Sequence, residues 1–301
     1  MESGTANLLG MLQDRVRALV NEGKWNDALK AAESAVDKAR SSLSGGDMDS
    51  LLRLAETLEL KANIYRDCGY LEEARVLYLE ALELLNGRVE FTEELARVSA
   101  SVGVLYDNVE NDEEAVTFYT RSIELYERLG GEFMADIADI CNNLGFIYRA
   151  NGHFDQAEKI FLRGLEISYE KNGVDSEKTA IFCNNVGALY LATGNIAQAR
   201  EMNTMALDTR ISILGKNHPD TAQSHSNLAM TLAQSGEAKE AKENFQASVE
   251  IYERHIKEEG HEYAAVVENY AEFLRQIGDK KGVTALLKRA KKKLSKVGLV
   301  K

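Results

Sequence analysis

Residues that break helices are scarce in this sequence, which has a single proline and 22 glycines among 301 residues. Folds built of many short strands need frequent tight turns rich in these two residues, so their scarcity disfavours an all-β protein. The 45% hydrophobic content is enough to form a core, which argues against a disordered chain. We therefore expect an all-α protein.

Residues that commonly carry chemistry are also few. The three cysteines, Cys68, Cys141 and Cys183, are too few and too far apart for a disulfide framework or a metal site with close ligand pairs. The histidines lack the i, i+4 pairing of a helical metal site. Neither a glycine-rich phosphate loop nor a Ser/His/Asp arrangement is present. We expect no metal, no cofactor, no catalytic residues, no small-molecule substrate and no enzymatic activity.

Long apolar runs are missing as well, since no segment approaches the ~18 consecutive apolar residues of a membrane span. The N-terminal residues lack the basic-then-apolar pattern of a secretory signal, so a cytoplasmic location without membrane binding is expected.

Charge is unevenly distributed along the chain: residues 280–301 contain nine basic and no acidic residues, whereas residues 1–279 contain 27 basic and 48 acidic ones. An acidic body repels phosphate backbones, which disfavours nucleic acid as a partner.

A repeat of about 42 residues organises the chain. Small or apolar residues occupy positions i, i+3, i+4 and i+7, as in Cys141, Leu144, Gly145 and Tyr148, which is typical of one helix face. A turn and a second helix follow each time, so each unit is predicted to be a helical hairpin. Because a lone hairpin leaves an apolar face bare, the units should stack. The small residue recurs in steps of 41, 42, 42, 42 and 42 at Ala62, Gly103, Gly145, Gly187, Ala229 and Ala271.

The borders of the units follow from turn chemistry. Asn111 with Glu114, and Asn195 with Gln198, have the spacing of a capping box at the start of the second helix. A seventh, divergent unit precedes the other six. We predict three regions: a divergent hairpin at residues 1–43, the array of 41- to 42-residue repeats at 44–278, and a basic capping helix with its tail at 279–301.

The repeated pattern of a small residue, an aromatic three positions on, a turn glycine, an alanine and a further aromatic resembles the tetratricopeptide repeat family. The period of this family is usually 34 residues. The longer period and the segment 214–222 leading into Asn227 are similar to repeats of the kinesin light chain type. The resemblance implies an all-α, right-handed superhelical solenoid of about seven antiparallel helical hairpins.

Asparagines recur on the far side of each predicted first helix. At 100° per residue, Asn143 points roughly 140–160° away from the core stripe, and Asn185, Asn227 and Asn269 share its position. In the tetratricopeptide repeat family this side lines a concave groove, where asparagine holds the backbone of an extended peptide. An amide can pair with both the C=O and the N–H of a main chain. Alternatively, these asparagines link neighbouring helices or lie at solvated positions.

Further candidates lie on the same side of the predicted first helices, with apolar residues and amides in the middle and arginines towards both ends. This distribution predicts an extended peptide ligand with apolar side chains and acidic flanks. The additional groove candidates are Asn142, Asn184, Phe146, Ile181, Leu191, Met230, Arg97, Arg149 and Arg275.

Receptors for chaperone C-terminal tails in this family use clustered cations instead, which are largely missing here. The corresponding positions are Glu56, Glu59, Asp139, Asn142, Ile181 and Asn184.

The sequence thus predicts an adaptor or scaffold that binds another protein through the groove. The alternative is an assembly subunit that docks onto a larger complex through its convex face or its basic C-terminal helix. That helix is either a solvated cap of the solenoid or a binding site for an acidic partner, a membrane surface or nucleic acid.

Overall fold

Fourteen α-helices in seven consecutive pairs form the described part of the chain in a computed structural model. The structure describes residues 2–43 and 47–299, with side chains from residue 8 onward, and no β-strand occurs among them. The first helices of the pairs are α1 (Glu2–Asn21), α3 (Met48–Asp67), α5 (Thr92–Asn108), α7 (Met134–Ala150), α9 (Glu177–Ala192), α11 (Pro219–Gln234) and α13 (Gly260–Gln276). The second helices are α2 (Trp25–Ser41), α4 (Leu71–Leu85), α6 (Asp112–Leu129), α8 (Phe154–Asn172), α10 (Ile196–Leu214), α12 (Ala238–Arg254) and α14 (Lys280–Lys296).

The chain divides into two units, one ending at Ile147 and the other beginning at Tyr148. Within the first unit α1 packs on α2, α3 on α4 and α5 on α6, and within the second α9 packs on α10, α11 on α12 and α13 on α14. In both units a second helix also contacts the first helix of the following pair. The predicted all-α array of stacked hairpins is therefore confirmed. Residue 1, residues 44–46 and the last two residues lie outside the described residues.

A tight turn joins the two helices of each pair. In the turn before α10, Gly194 has φ +81°, a left-handed conformation that glycine adopts without steric cost, and Asn195 N donates to Tyr190 O at 2.8 Å. Glu110 takes the same place before α6 with φ +56°. The equivalent bond there, from Asn111 N to Tyr106 O, is 2.9 Å long, so the turn geometry is kept without glycine.

Small residues allow the two helices of a pair to approach each other closely. A β-carbon added to Gly103 would lie only 2.6 Å from the ring of Tyr119, so no larger residue fits without displacement. The ring position of Tyr119 recurs along the second helices and is fully buried at Tyr78, Tyr119, Phe161 and Phe245. Asn203 occupies the equivalent place in α10, where it too is fully buried.

One of the two predicted capping boxes is confirmed at its N-cap. Asn111 accepts a hydrogen bond from Glu114 N at 3.4 Å. For Asn195 the prediction is wrong, because its side chain makes no bond to the first turn of α10. Its Nδ2 instead donates to Thr193 Oγ1 at 3.2 Å, so the amide is used within the turn that precedes the helix.

Candidate functional site

The first helices of the second unit lie beside one another. Asn184 Nδ2 on α9 donates to Ser224 Oγ on α11 at 2.9 Å, and Asn269 Nδ2 on α13 lies 3.7 Å from Met230 Sδ on α11. These two contacts place equivalent positions of successive repeats on neighbouring helices. We call the half-buried and exposed residues of this face the groove surface, and it consists of Ile181, Asn185, Asn227, Met230 and Asn269.

Asn227 lies on the middle helix of the groove surface. Its backbone carbonyl accepts a hydrogen bond from Thr231 Oγ1 at 3.0 Å, but its side-chain amide makes no hydrogen bond within the described part of the chain. Asn185 is half-buried and Asn269 is exposed on the flanking helices. The amide of Asn227 can therefore pair with a main chain laid across α11.

Two of the predicted groove residues are not on an open surface. Asn184 is 4% exposed, and its bond to Ser224 links α9 to α11 while its Oδ1 has no partner. Leu191 is also buried. The prediction that Asn184 and Leu191 line the groove is therefore wrong, and we leave both residues out of the groove surface.

In the first unit, Asn143 fastens α7 to the helix before it. Its Nδ2 donates to the hydroxyl of Tyr119 on α6 at 3.3 Å, so part of this amide is engaged within the protein. Asn142 is half-buried beside it, and Phe146 is 38% exposed one turn further on. Arg149, on the same helix but in the second unit, is half-buried, and burial lowers its pKa.

Arg97 was predicted to attract an acidic part of the ligand, but its guanidinium is already paired within the protein. Its Nε and Nη2 bind the carboxylate of Glu59, which is buried on α3, with Nη2 and Oε2 2.8 Å apart. Burial raises the pKa of the nearby Glu56, and Glu94 has a buried carboxylate oxygen without a partner. This part of α3 and α5 is therefore acidic around a paired guanidinium.

Sequence reasoning missed the pairing because Glu59 precedes Arg97 by 38 residues. The signal that could have revealed it is the repeat itself, since 38 residues is the 41-residue step between these two repeats less about one helical turn. At the other end of the chain Arg275 is also paired, with Glu272 on the same helix at 3.0 Å. Both arginines are thus partly neutralised, which weakens the expected preference for acidic flanks.

A buried arginine that is not among the predicted site residues, Arg210, joins α10 to the start of α11. Arg210 is 3% exposed, and its Nη1 donates to Asp220 O at 2.7 Å, to Gln223 Oε1 at 2.9 Å and to Ser224 Oγ at 3.1 Å. Burial lowers its pKa. Tyrosine occupies the equivalent position in α6 and α12.

Reactive or metal-binding arrangements would involve the cysteines and the metal-ligating side chains. Cys141 and Cys183 are buried, and burial raises the pKa of Cys183 to about 11, which keeps it a neutral thiol. No cluster of His, Cys, Asp and Glu suited to a metal ion occurs in residues 2–43 and 47–299. Over the same residues, no helix is long and apolar enough to cross a membrane.

Comparison with protein families agrees with this architecture. One model described as tetratricopeptide repeat matches residues 136–211 and 179–254, and a second model of the same description matches residues 55–84. The chain is a tetratricopeptide repeat protein. No curated protein sequence matches it.

Several solved structures share the fold. BtubC (BKLC) from P. vanneervenii is 25% identical over 75% of this chain and 90% of its own, with a TM-score of 0.65. The apo form of RapI is 19% identical over 80% of this chain and 83% of its own, with a TM-score of 0.65. A Rap protein complexed with Competence and Sporulation Factor is 13% identical over 97% of this chain and 78% of its own, with a TM-score of 0.59.

Proposed function

We propose that this protein is a non-enzymatic adaptor or scaffold that binds an extended segment of another protein on the groove surface. The observation that carries the proposal is the alignment of the first helices, which brings Asn185, Asn227 and Asn269 onto adjacent helices. Packed helices lie about 8–10 Å apart, and an extended chain advances about 3.3 Å per residue. Successive asparagines can therefore reach the main chain at about every third residue of a ligand.

The side chains between the asparagines favour apolar groups in the ligand. Ile181 and Met230 are half-buried on the groove surface, and methionine adapts its shape to different apolar partners. Main-chain pairing by the amides supplies affinity, and contacts to Ile181 and Met230 supply selectivity. The Rap protein of the same fold that was solved with Competence and Sporulation Factor is an example of this fold in a complex.

The test is a selection of random linear peptides from a display library with the whole protein, followed by affinity measurements on variants. Asn185→Ala with Asn227→Ala removes two amides from the groove surface. The matched control, Gln156→Ala with Gln198→Ala, removes two exposed amides at the same 42-residue spacing from the second helices α8 and α10.

We expect the asparagine pair to weaken peptide binding at least tenfold, because each lost hydrogen bond contributes about 0.5–1.5 kcal/mol. The glutamine pair should leave binding unchanged. Selected peptides whose affinity does not depend on the asparagines, or that lose it equally in the control, would contradict the proposal.

A further inference from the structure

One face of α14 carries six exposed lysines. At 100° per residue they span an arc of about 160° of the helix, and α14 contains no acidic residue. None of the six has an ion-pair partner in the part of the chain that the structure describes. We call these residues the lysine face, and they are Lys280, Lys281, Lys288, Lys291, Lys292 and Lys296.

The opposite side of α14 packs against the rest of the second unit. Leu286, Ala290 and Leu294 are buried. Arg289 Nε lies 2.7 Å from one carboxylate oxygen of Glu253 on α12, and Lys293 Nζ lies 3.2 Å from the other. The fold thus uses the two cations next to the body, and the lysine face takes no part in docking the helix.

A cleft between α12 and α14 borders the lysine face. It has a volume of about 340 Å³, and its apolar lining consists of Val249 on α12, Leu274 on α13 and Leu286 on α14. This volume lies at the lower end of ligand pockets and suits a single apolar side chain. The polar and small residues that complete the lining are Lys242, Gln246, Glu250, Tyr270, Gly282, Ala285 and Arg289.

The repeat explains why the cleft is open. Two positions near the start of the second helix carry long polar side chains in α10 and α12, but glycine and alanine in α14. The wall of the cleft formed by the start of α14 therefore carries only short side chains. The equivalent residues are Gln198, Glu240 and Gly282 at the first position, and Glu201, Glu243 and Ala285 at the second.

Three anionic partners could neutralise the lysine face, and the structure favours one of them. A membrane-binding helix inserts its apolar stripe, but here that stripe is buried against the body. A nucleic acid would bring a long array of phosphates close to a body with 27 basic and 48 acidic residues. A short acidic protein segment engages α14 alone, and only a protein segment offers an apolar side chain to the adjacent cleft.

We propose that the lysine face and the cleft between α12 and α14 together bind a short acidic segment of another protein through one apolar anchor side chain. The site is separate from the groove surface, so the protein can join two partners. The lysines supply attraction to the acidic residues and set the rate of encounter, and the cleft selects segments that carry the anchor.

The test uses a fluorescein-labelled peptide in which one leucine is flanked by glutamates, with fluorescence anisotropy measured on the whole protein near physiological salt. Lys281→Gln, Lys288→Gln and Lys292→Gln are combined in one variant. The matched control replaces three exposed lysines elsewhere in the second unit, Lys216, Lys239 and Lys257, by glutamine and so changes the net charge equally.

We expect the lysine-face variant to lose about tenfold in affinity, because each exposed charge pair contributes about 0.2–1 kcal/mol. The control should stay within twofold of the unmodified protein. Ala285→Leu adds an apolar side chain to the cleft without altering charge. It should weaken binding of the leucine peptide several-fold, whereas the affinity for a peptide that contains only glutamates should not change.

Equal loss in the control variant, or an unchanged affinity in the lysine-face variant, would overturn the proposal. Tighter binding to phosphatidylserine vesicles or to a DNA duplex than to the peptide would assign the lysine face to a membrane or to nucleic acid instead. The replaced side chains are exposed, and a thermal melt of each variant confirms that it is folded.

Discussion

A β-carbon built on Gly187 would overlap Oδ1 of Asn203, so these two residues touch at the position where α4, α6, α8 and α12 present an aromatic ring. Asn203 is fully buried, and its Nδ2 donates to Thr231 Oγ1 at 3.0 Å, but its Oδ1 has no partner. An unpaired buried acceptor costs about 1–3 kcal/mol. The pair formed by α9 and α10 therefore carries a polar cost that is absent where Tyr119 packs on Gly103 between α5 and α6.

Asn203→Leu should stabilise the protein by about 1 kcal/mol, because leucine has a similar shape and leaves no buried acceptor. Thr231 keeps its own hydrogen bond to Asn227 O at 3.0 Å, so the change orphans no hydroxyl donor. The midpoint of thermal unfolding measures the effect. A lower midpoint would mean that the bond to Thr231 outweighs the unpaired oxygen.

Gly103→Ala should destabilise the protein by about 1–3 kcal/mol, because the added methyl group would overlap the buried ring of Tyr119. Gly10→Ala is the matched control, since a β-carbon at that helical position meets nothing within 4 Å. It should instead stabilise α1 by about 0.5–1 kcal/mol through helix propensity. Urea unfolding of both variants measures the difference, and effects of the same sign would contradict the packing argument.

Arg97→Ala should destabilise the protein by about 1–3 kcal/mol, because it leaves the buried carboxylate of Glu59 without its cation and close to Glu56 and Glu94. Adding Glu59→Gln to that variant removes the uncompensated charge and should recover part of the loss. Urea unfolding at neutral pH provides the double-mutant cycle. If the double variant loses as much stability as the single variants Arg97→Ala and Glu59→Gln together, the two residues are not coupled.

The attachment of α14 should weaken in acid. Burial alone would raise the pKa of Glu253, but hydrogen bonds from Arg289, Tyr263 and Lys293 hold it below its ordinary value of 4.5. A carboxylate with a lowered folded pKa contributes stability that is complete above its unfolded pKa and is lost as pH falls through the folded one. The contribution of Glu253 should therefore be present at neutral pH and be lost as the pH falls below 4.5 through the lowered folded pKa.

Glu253→Gln tests this pH dependence through thermal melts recorded from neutral to acidic pH. The variant should be less stable by about 1–3 kcal/mol at neutral pH, and the difference should vanish in acid. Glu243→Gln, at an exposed position on the same helix, is the control and should follow the unmodified protein throughout. A constant difference at all pH values would show that Glu253 does not act through its charge.

Local pattern was sufficient to predict the hairpins and their number, because a repeated small residue and a helical apolar stripe have few other solutions. The local pattern did not predict the partners of polar side chains that can bond to more than one neighbouring element. Asn195 bonds Thr193 and not the helix that it precedes, and Arg97 binds a glutamate of the preceding repeat. Neither choice is encoded in the neighbouring sequence.

The sequence by itself determined that this chain is a stack of helical pairs with an acidic body and a basic last helix, since periodicity and composition follow from the order of residues alone. The tertiary structure decided which polar residues of those helices are open to a partner. Asn184 and Asn227 belong to the same kind of segment, yet one is buried against Ser224 and the other is not. Exposure depends on the helices that pack alongside, which lie 40 residues away in the case of Asn184 and Ser224.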